Sequence, residues 1–184
     1  SPGAATPATG KPTGKPVSLL EMGIDQVPIH FRSGKKCLVL LPYEETRVVA
    51  MLDHRAREAG IRLIVVSATE GAVDLTAGKV LETTFDDSVA AISWIIQRSK
   101  KSSADNREWV IVKDLHRFWD NPVVCRKIRD LVCYLRASYN CAIFLSPVAV
   151  LPEDLRYDLQ VITLKLPDRK AVRETILRAE EQLI

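Results

Sequence analysis

Two stretches of the chain place reactive residue types where a sheet could use them. Asp114 closes the apolar run Trp109-Val110-Ile111-Val112-Lys113-Asp114, the position at which a nucleotide-hydrolysing sheet puts the acid that holds Mg²⁺ through water. Leu115 and His116 follow it, so the second carboxylate that would polarise an attacking water is missing. The other stretch is Leu41-Pro42-Tyr43-Glu44-Glu45-Thr46-Arg47, the turn between the first apolar run and an amphipathic segment. There a doubly wound sheet gathers backbone N–H groups and the positive end of a helix, which suits phosphate. Capture of phosphate in such a turn requires glycines that let the backbone curl, a lysine, and a Ser or Thr for Mg²⁺, in a fixed order. That pattern is absent. Glu44 and Glu45 instead favour the helix dipole and would repel a triphosphate, so Asp114 reads as a solvated or capping acid.

His116 has the chemistry of a base near neutral pH. However, His30, His54 and His116 fall on separate segments, and no triad or metal site assembles from the spacing. Neither a cofactor nor a metal is expected. Phe118 and Trp119 lie just beyond Asp114, where large aromatics either anchor a partner or plug the end of a core; the plug is favoured. Arg126, Lys127 and Arg129 alternate with an apolar helix face, and Arg98, Lys100 and Lys101 end another helix, which predicts solvated faces rather than a nucleic-acid groove.

The elements that must position these residues alternate along the chain. Cys37–Leu41 is a continuous apolar run stopped by Pro42, as in a strand buried on both faces. Glu44–Ala59 carries Val48, Val49, Met51, Leu52 and Ala56 on one side and stops at Gly60, a helix. Ile61–Val66 is a second strand, and 67–84 is less regular. Asp86 or Asp87 caps a helix with Val89, Ile92, Ile95 and Ile96 on its face. Trp109–Val112 is a third strand after a polar surface loop over Lys100–Arg107. Asp120 or Asn121 caps a helix with Pro122 at its first position and a face through Val124, Ile128, Leu131, Val132 and Leu135. Ala142–Leu145 and Val161–Leu166 are the fourth and fifth strands, and Asp168 caps a last helix to about Leu183. Ahead of them, Ser18 and Glu21 have capping-box spacing, which predicts a short helix from Leu19 that ends before Pro28, with a turn at Ser33-Gly34. Strands joined by helix-length crossovers run parallel, which predicts a three-layer α/β sandwich with a five-stranded parallel sheet.

Composition bounds the rest. The 184 residues, 47% of them hydrophobic, suit one core, taken as a single domain over 18–184. Residues 1–17 hold almost no apolar area and read as a flexible tail. A balance of 26 basic against 23 acidic residues, net +3, gives no reason to expect a specific nucleic-acid partner. No apolar run approaches the length of a membrane span, and no signal peptide opens the chain, so a cytoplasmic protein without a membrane partner is expected. Cys37, Cys125, Cys133 and Cys141 lack ligand spacing and read as buried, reduced thiols. Cys37 and Cys141 each begin a strand.

Four segments in order resemble the amino-terminal half of a family of AAA+ proteins first known as a conserved open reading frame of algal chloroplast genomes and found also in cyanobacteria and other bacteria. They are Leu40–Val48, Val112–Val124, Leu145–Pro147 with Val150–Leu155, and Leu164–Asp168, and together they cover most of Pro28–Ile184. The resemblance implies an AAA-like sheet with strand order 5-1-4-3-2 and no lid domain. It also implies a degenerate ATPase module that precedes a complete one in a longer protein. Ser146 stands where an active module carries a polar sensor.

The function expected on these grounds is a non-catalytic regulatory or assembly module. It would present the loops after Leu41, Val66, Val112 and Leu145 to a protein partner or an adjacent ATPase module, with homo-oligomerisation possible in the longer protein. The candidate crevice comprises Pro42, Tyr43, Glu44, Glu45, Asp114, His116, Arg117 and Ser146. Two alternatives use the same crevice: an atypical ATP-binding hydrolase, and a receiver-like or small-molecule-binding α/β domain with Asp114 at its centre.

Overall fold

The computed structural model describes residues 19–42, 44–67, 70–164 and 169–182. The tail over 1–17, Ser18, Tyr43 and Asp168 lie outside the described residues. Seven strands are present among them: β1 (Cys37–Leu41), β2 (Arg62–Ser67), β3 (Gly71–Asp74), β4 (Lys79–Glu82), β5 (Glu108–Lys113), β6 (Cys141–Leu145) and β7 (Gln160–Thr163). Five helices accompany them: α1 (Leu19–Arg32), α2 (Glu45–Glu58), α3 (Ser88–Lys100), α4 (Pro122–Arg136) and α5 (Arg169–Glu181).

The strands form one sheet in the order β4-β3-β2-β5-β6-β1-β7. The five parallel strands expected from the sequence take the order implied by the resemblance, with β1 between β6 and β7. The expected five-stranded, wholly parallel sheet is corrected by the stretch after β2, which folds back as the antiparallel pair β3–β4 and makes the sheet mixed. Alternation within four residues is too short to register as a pattern, but the turn leaves a mark. Asp74 Oδ1 accepts from the Ala77 N–H at 2.9 Å, and Gly78 takes φ 65° to close the hairpin.

Alternation sorts the core into two layers. Leu38, Leu40, Leu63, Ile111, Ile143 and Leu145 face α1 and α2, where they bury Ile24, Val27, Val48, Leu52 and Ala56. Val39, Ile64, Val66, Val110, Val112 and Phe144 face α3 and α4, against Ile92, Ile95, Ile128, Leu131 and Leu135. The three-layer sandwich is therefore as expected.

Two of the predicted caps form, and one predicted helix end lies elsewhere. Asp87 caps α3 by accepting from Ala90 N at 2.8 Å, and Asn121 caps α4 by accepting from Val123 N at 2.9 Å. Helix α1, expected to stop before Pro28, runs through it to Arg32. A mid-helix proline costs about 3 kcal/mol. Ile24, Val27 and Phe31, at helical spacing and all buried, offset that by packing one face of α1 into the core, and Gly34 at φ 92° then turns the chain.

The cysteine expectations hold in part. Cys37, Cys125 and Cys141 are buried, but Cys133 is exposed on α4. Strands β1 and β6 are neighbours, yet Cys37 pairs with Ala142 rather than Cys141. That one-residue offset sends the two thiols to opposite faces of the sheet, Cys37 toward α3 and α4 and Cys141 toward α1 and α2.

Candidate functional site

The ladder brings the ends of three parallel strands side by side: Leu40 pairs with Leu145, and Leu145 with Lys113. The loops that begin at Pro42, Ser146 and Asp114 therefore rise from adjacent strands at the carboxyl edge of the sheet. This is where an open α/β sheet offers a crevice. Tyr43 lies outside the described residues.

At the first of these loops Glu44 occupies the position before α2 in an extended conformation, φ −124° and ψ 105°, and its side chain makes no capping bond. Its carbonyl accepts the first helical bond, from Val48 N at 3.0 Å. Glu45 opens the helix, and its Oε1 lies 3.3 Å from Lys113 Nζ. Lys113 was not among the residues singled out from the sequence. The signal for it was its place at the end of β5, two strands from a turn carrying two glutamates. The positive end of α2 thus faces a carboxylate of its own chain, itself paired with an ammonium.

Asp114 is exposed, and with φ 57° and ψ 14° it is the one non-glycine residue at positive φ among the described residues. Aspartate tolerates this left-handed conformation better than most side chains. Its effect is to swing the chain from β5 into a single 3₁₀ turn over Leu115–Arg117, with Arg117 N donating to Asp114 O at 3.2 Å. Leu115 is thereby driven into the core, while Arg117 stays at the surface. The His116 ring stands edge-on to Trp119, centroids 6.2 Å apart at 72°. Its Nδ1 is buried and has no hydrogen-bond partner among the described residues. Trp119 is buried, as a plug should be, whereas Phe118 is partly exposed beside it. The plug expected of these aromatics is formed by Trp119 and not by Phe118.

Ser146 is placed differently from the others. It is buried; its Oγ donates to Val148 O at 2.8 Å and accepts from Val148 N at 3.2 Å, which closes a turn on itself. Its N–H extends the ladder to Leu40 O. The hydroxyl is spent within its own loop, on Val148. Pro42, Glu44, Glu45, Asp114, His116 and Arg117 thus flank one edge, and Ser146 shapes the loop between them.

Among the described residues no group of three or more His, Cys, Asp or Glu side chains could hold a metal ion, and no described helix is long and apolar enough to cross a membrane.

The solved structures to which this chain is similar include two ORC complexes. One chain in the structure of Drosophila ORC bound to AT-rich DNA and Cdc6 is 11% identical with a TM-score of 0.42, over 95% of this chain and 36% of that one. This chain thus spans about a third of that chain's length. A chain in the structure of Drosophila ORC bound to DNA is 13% identical with a TM-score of 0.41, over 84% of this chain and 97% of that one. No curated protein sequence matches the chain. The family model described as the SpoVK-like AAA ATPase N-terminal domain matches residues 24–164, which span β1 through β7 and every described crevice residue. With most of its length so matched, the chain belongs to the SpoVK-like AAA ATPase N-terminal domain family.

Proposed function

We propose that this domain is a non-catalytic member of an AAA ATPase assembly that uses the carboxyl edge of its sheet to contact a protein partner or an adjacent ATPase module. The observation that carries the reading is the Glu45–Lys113 pair at the start of α2. An ATP phosphate in that turn would have to displace a carboxylate from the helix terminus and would meet Glu44 as well. No glycine stands between Leu41 and Arg47 to let the backbone wrap an anion. The neighbouring loop and the first turn of α4 offer partly exposed Phe118 and well exposed Val123, apolar groups of the kind that anchor a protein interface. The reading takes the occupant to be protein rather than nucleic acid, assigns the domain no cofactor, and places it in the cytoplasm. It favours a degenerate ATPase lineage of the kind first seen in algal chloroplast genomes. The sheet order also disfavours the receiver-like alternative, in which the strand ending at Asp114 would lie beside β1; β6 lies between them.

Isothermal titration of the purified chain with ATP and Mg²⁺ tests the reading. No saturable heat up to millimolar nucleotide is expected. Micromolar binding would overturn it in favour of an atypical ATP-binding domain.

A further inference from the structure

At the opposite, amino edge of the sheet lies an open cleft of about 500 Å³, within the size range of small-molecule sites. It sits between the ends of α1 and α2 and the starts of β5 and β6. Five residues of strand, or about 16 Å, separate it from the crevice loops.

Its walls are of two kinds. Phe31 and Trp109, both buried but for a rim that reaches the cleft, meet edge to face, centroids 5.4 Å apart at 62°, and half-exposed Tyr139 also lines the cleft. Around these rings are Arg32, Lys36 and Arg107. Arg32 Nε donates to the Pro28 carbonyl and Lys36 Nζ to the Ser138 carbonyl, both neutral acceptors. None of the three cations meets a carboxylate among the described residues. The fourth cation, Arg55, is already held by Asp25 at 2.6 Å and Glu58 at 3.3 Å, and Glu58 also meets His54. The cleft therefore has aromatic lining, three rim cations that no carboxylate among the described residues meets, and one lining carboxylate already paired with Arg55 and His54. The positive field reaches its floor, since Lys36 and Arg107 both pull the Cys141 thiol toward ionisation, although burial outweighs them.

We propose that this cleft binds a small organic anion with a flat aromatic body, its rings against Phe31, Trp109 and Tyr139 and its acidic group between Lys36 and Arg107. The ligand's flat body packs on the open ring of Tyr139 and on the rims of Phe31 and Trp109 that reach the cleft. The carboxylate, sulfonate or phosphate then meets an ammonium and a guanidinium, the latter able to bind it through two parallel N–H bonds. The site is independent of the reading given under Proposed function, because no residue is shared between the two edges.

The test titrates the full chain with 2-naphthoate and with 2-naphthylmethanol, its neutral counterpart, following ¹H–¹⁵N shifts that include the Trp109 indole. Naphthoate should give saturable shifts confined to 28–36, 55–61, 107–109 and 139–141, and the alcohol should bind at least about tenfold more weakly. Arg107→Gln, at an exposed side chain with no partner among the described residues, should weaken naphthoate about five- to tenfold and leave the alcohol unchanged. Equal affinity for acid and alcohol, shifts scattered over the surface, or an Arg107→Gln chain that binds naphthoate like the parent would each overturn the proposal.

Discussion

Glu45 Oε1 and Lys113 Nζ stand 3.3 Å apart and tie the first turn of α2 to the end of β5 across the intervening β6. Both side chains are a third or more exposed, so the pair is screened and worth at most about 1 kcal/mol. Lys113→Ala should therefore lower the unfolding free energy by less than about 1 kcal/mol, and the difference should shrink in 1 M salt. Urea unfolding at low and high salt checks this. If the proposed function is right, Glu45→Ala will still not produce ATP binding, since the glycines that phosphate needs remain absent.

The conformation of Asp114 makes a sharper forecast. Its left-handed φ of 57° costs a β-branched side chain about 1–2 kcal/mol more than glycine. Asp114→Gly should leave stability unchanged or raise it slightly, and Asp114→Val should lower it by about 1–3 kcal/mol. The expected order in chemical denaturation is Gly at or above Asp, with Val clearly lower; a Val variant as stable as the parent would show that the 3₁₀ turn does not require this backbone.

The parallel strands and their helices were readable because each carries a long signal. Faces such as Ile92-Ile95-Ile96 match the helical period, and continuous apolar runs such as Cys37–Leu41 are of strand length and bounded by Gly34 and Pro42. The β3–β4 hairpin was not readable, because Gly71–Asp74 and Lys79–Glu82 are four residues each and the latter is mostly exposed. At the crevice, sequence supplied the loops but not the contacts. Glu45 was legible as a dipole partner, whereas its pairing with Lys113 depends on strand order, and the fate of the Ser146 hydroxyl depends on where the next two residues turn. The cleft at the amino edge was invisible, since its lining comes from five separated segments.

The hairpin that sequence missed rests on one glycine. Gly71 holds φ 98°, and a Cβ there would meet the backbone of Glu82 and Thr83, with the Thr83 carbonyl carbon at 2.7 Å. Backbone atoms in a ladder cannot swing aside as a flexible side chain can. Gly71→Ala should detach β4 from β3 and cost more than about 2 kcal/mol, with amide exchange accelerating over 71–82 while β1, β5 and β6 stay protected. Unchanged protection in the hairpin would refute this.

Glu108 opens β5 almost fully buried, and its carboxylate is gripped by Arg98 at 2.9 and 2.7 Å and by Arg62 at 2.9 Å. Its N–H donates to Asn140 Oδ1 at 3.0 Å, which joins the start of β5 to the start of β6. Removing the carboxylate takes from Arg98 both of its bonds, whereas Arg62 keeps Asn106 Oδ1 at 2.7 Å and Asp74 Oδ2 at 3.5 Å, so the cost falls mainly on Arg98 and on the emptied buried site. Glu108→Ala should destabilise by about 3 kcal/mol, and Glu108→Gln by less, because it keeps an acceptor in place. Equal losses for the two would place the effect in packing alone.

The buried thiols make stability depend on alkaline pH, and the direction follows from their environment. Burial pushes the Cys141 thiol from 9.0 up to about 12, despite Lys36 and Arg107, and burial pushes Cys37 up as well. Below pH 9 each thiol is protonated in both the folded and the unfolded chain, so nothing is lost. Between pH 9 and 12 the unfolded thiol ionises while the folded Cys141 cannot, and the unfolded state gains about 1.4 kcal/mol per pH unit. Other groups also titrate in this range, so the measurement is a difference between variants. From pH 8 to pH 10.5 the parent should lose about 2 kcal/mol more than Cys141→Ala, which has no thiol to ionise on unfolding. At pH 8 iodoacetamide should modify exposed Cys133 well before Cys37 or Cys141, as read by mass spectrometry, because the reagent reaches an exposed sulfur and burial shields the other two. Parallel stability losses for parent and Cys141→Ala would mean that this thiol ionises equally well folded and unfolded, and that water reaches the floor of the cleft beneath Trp109.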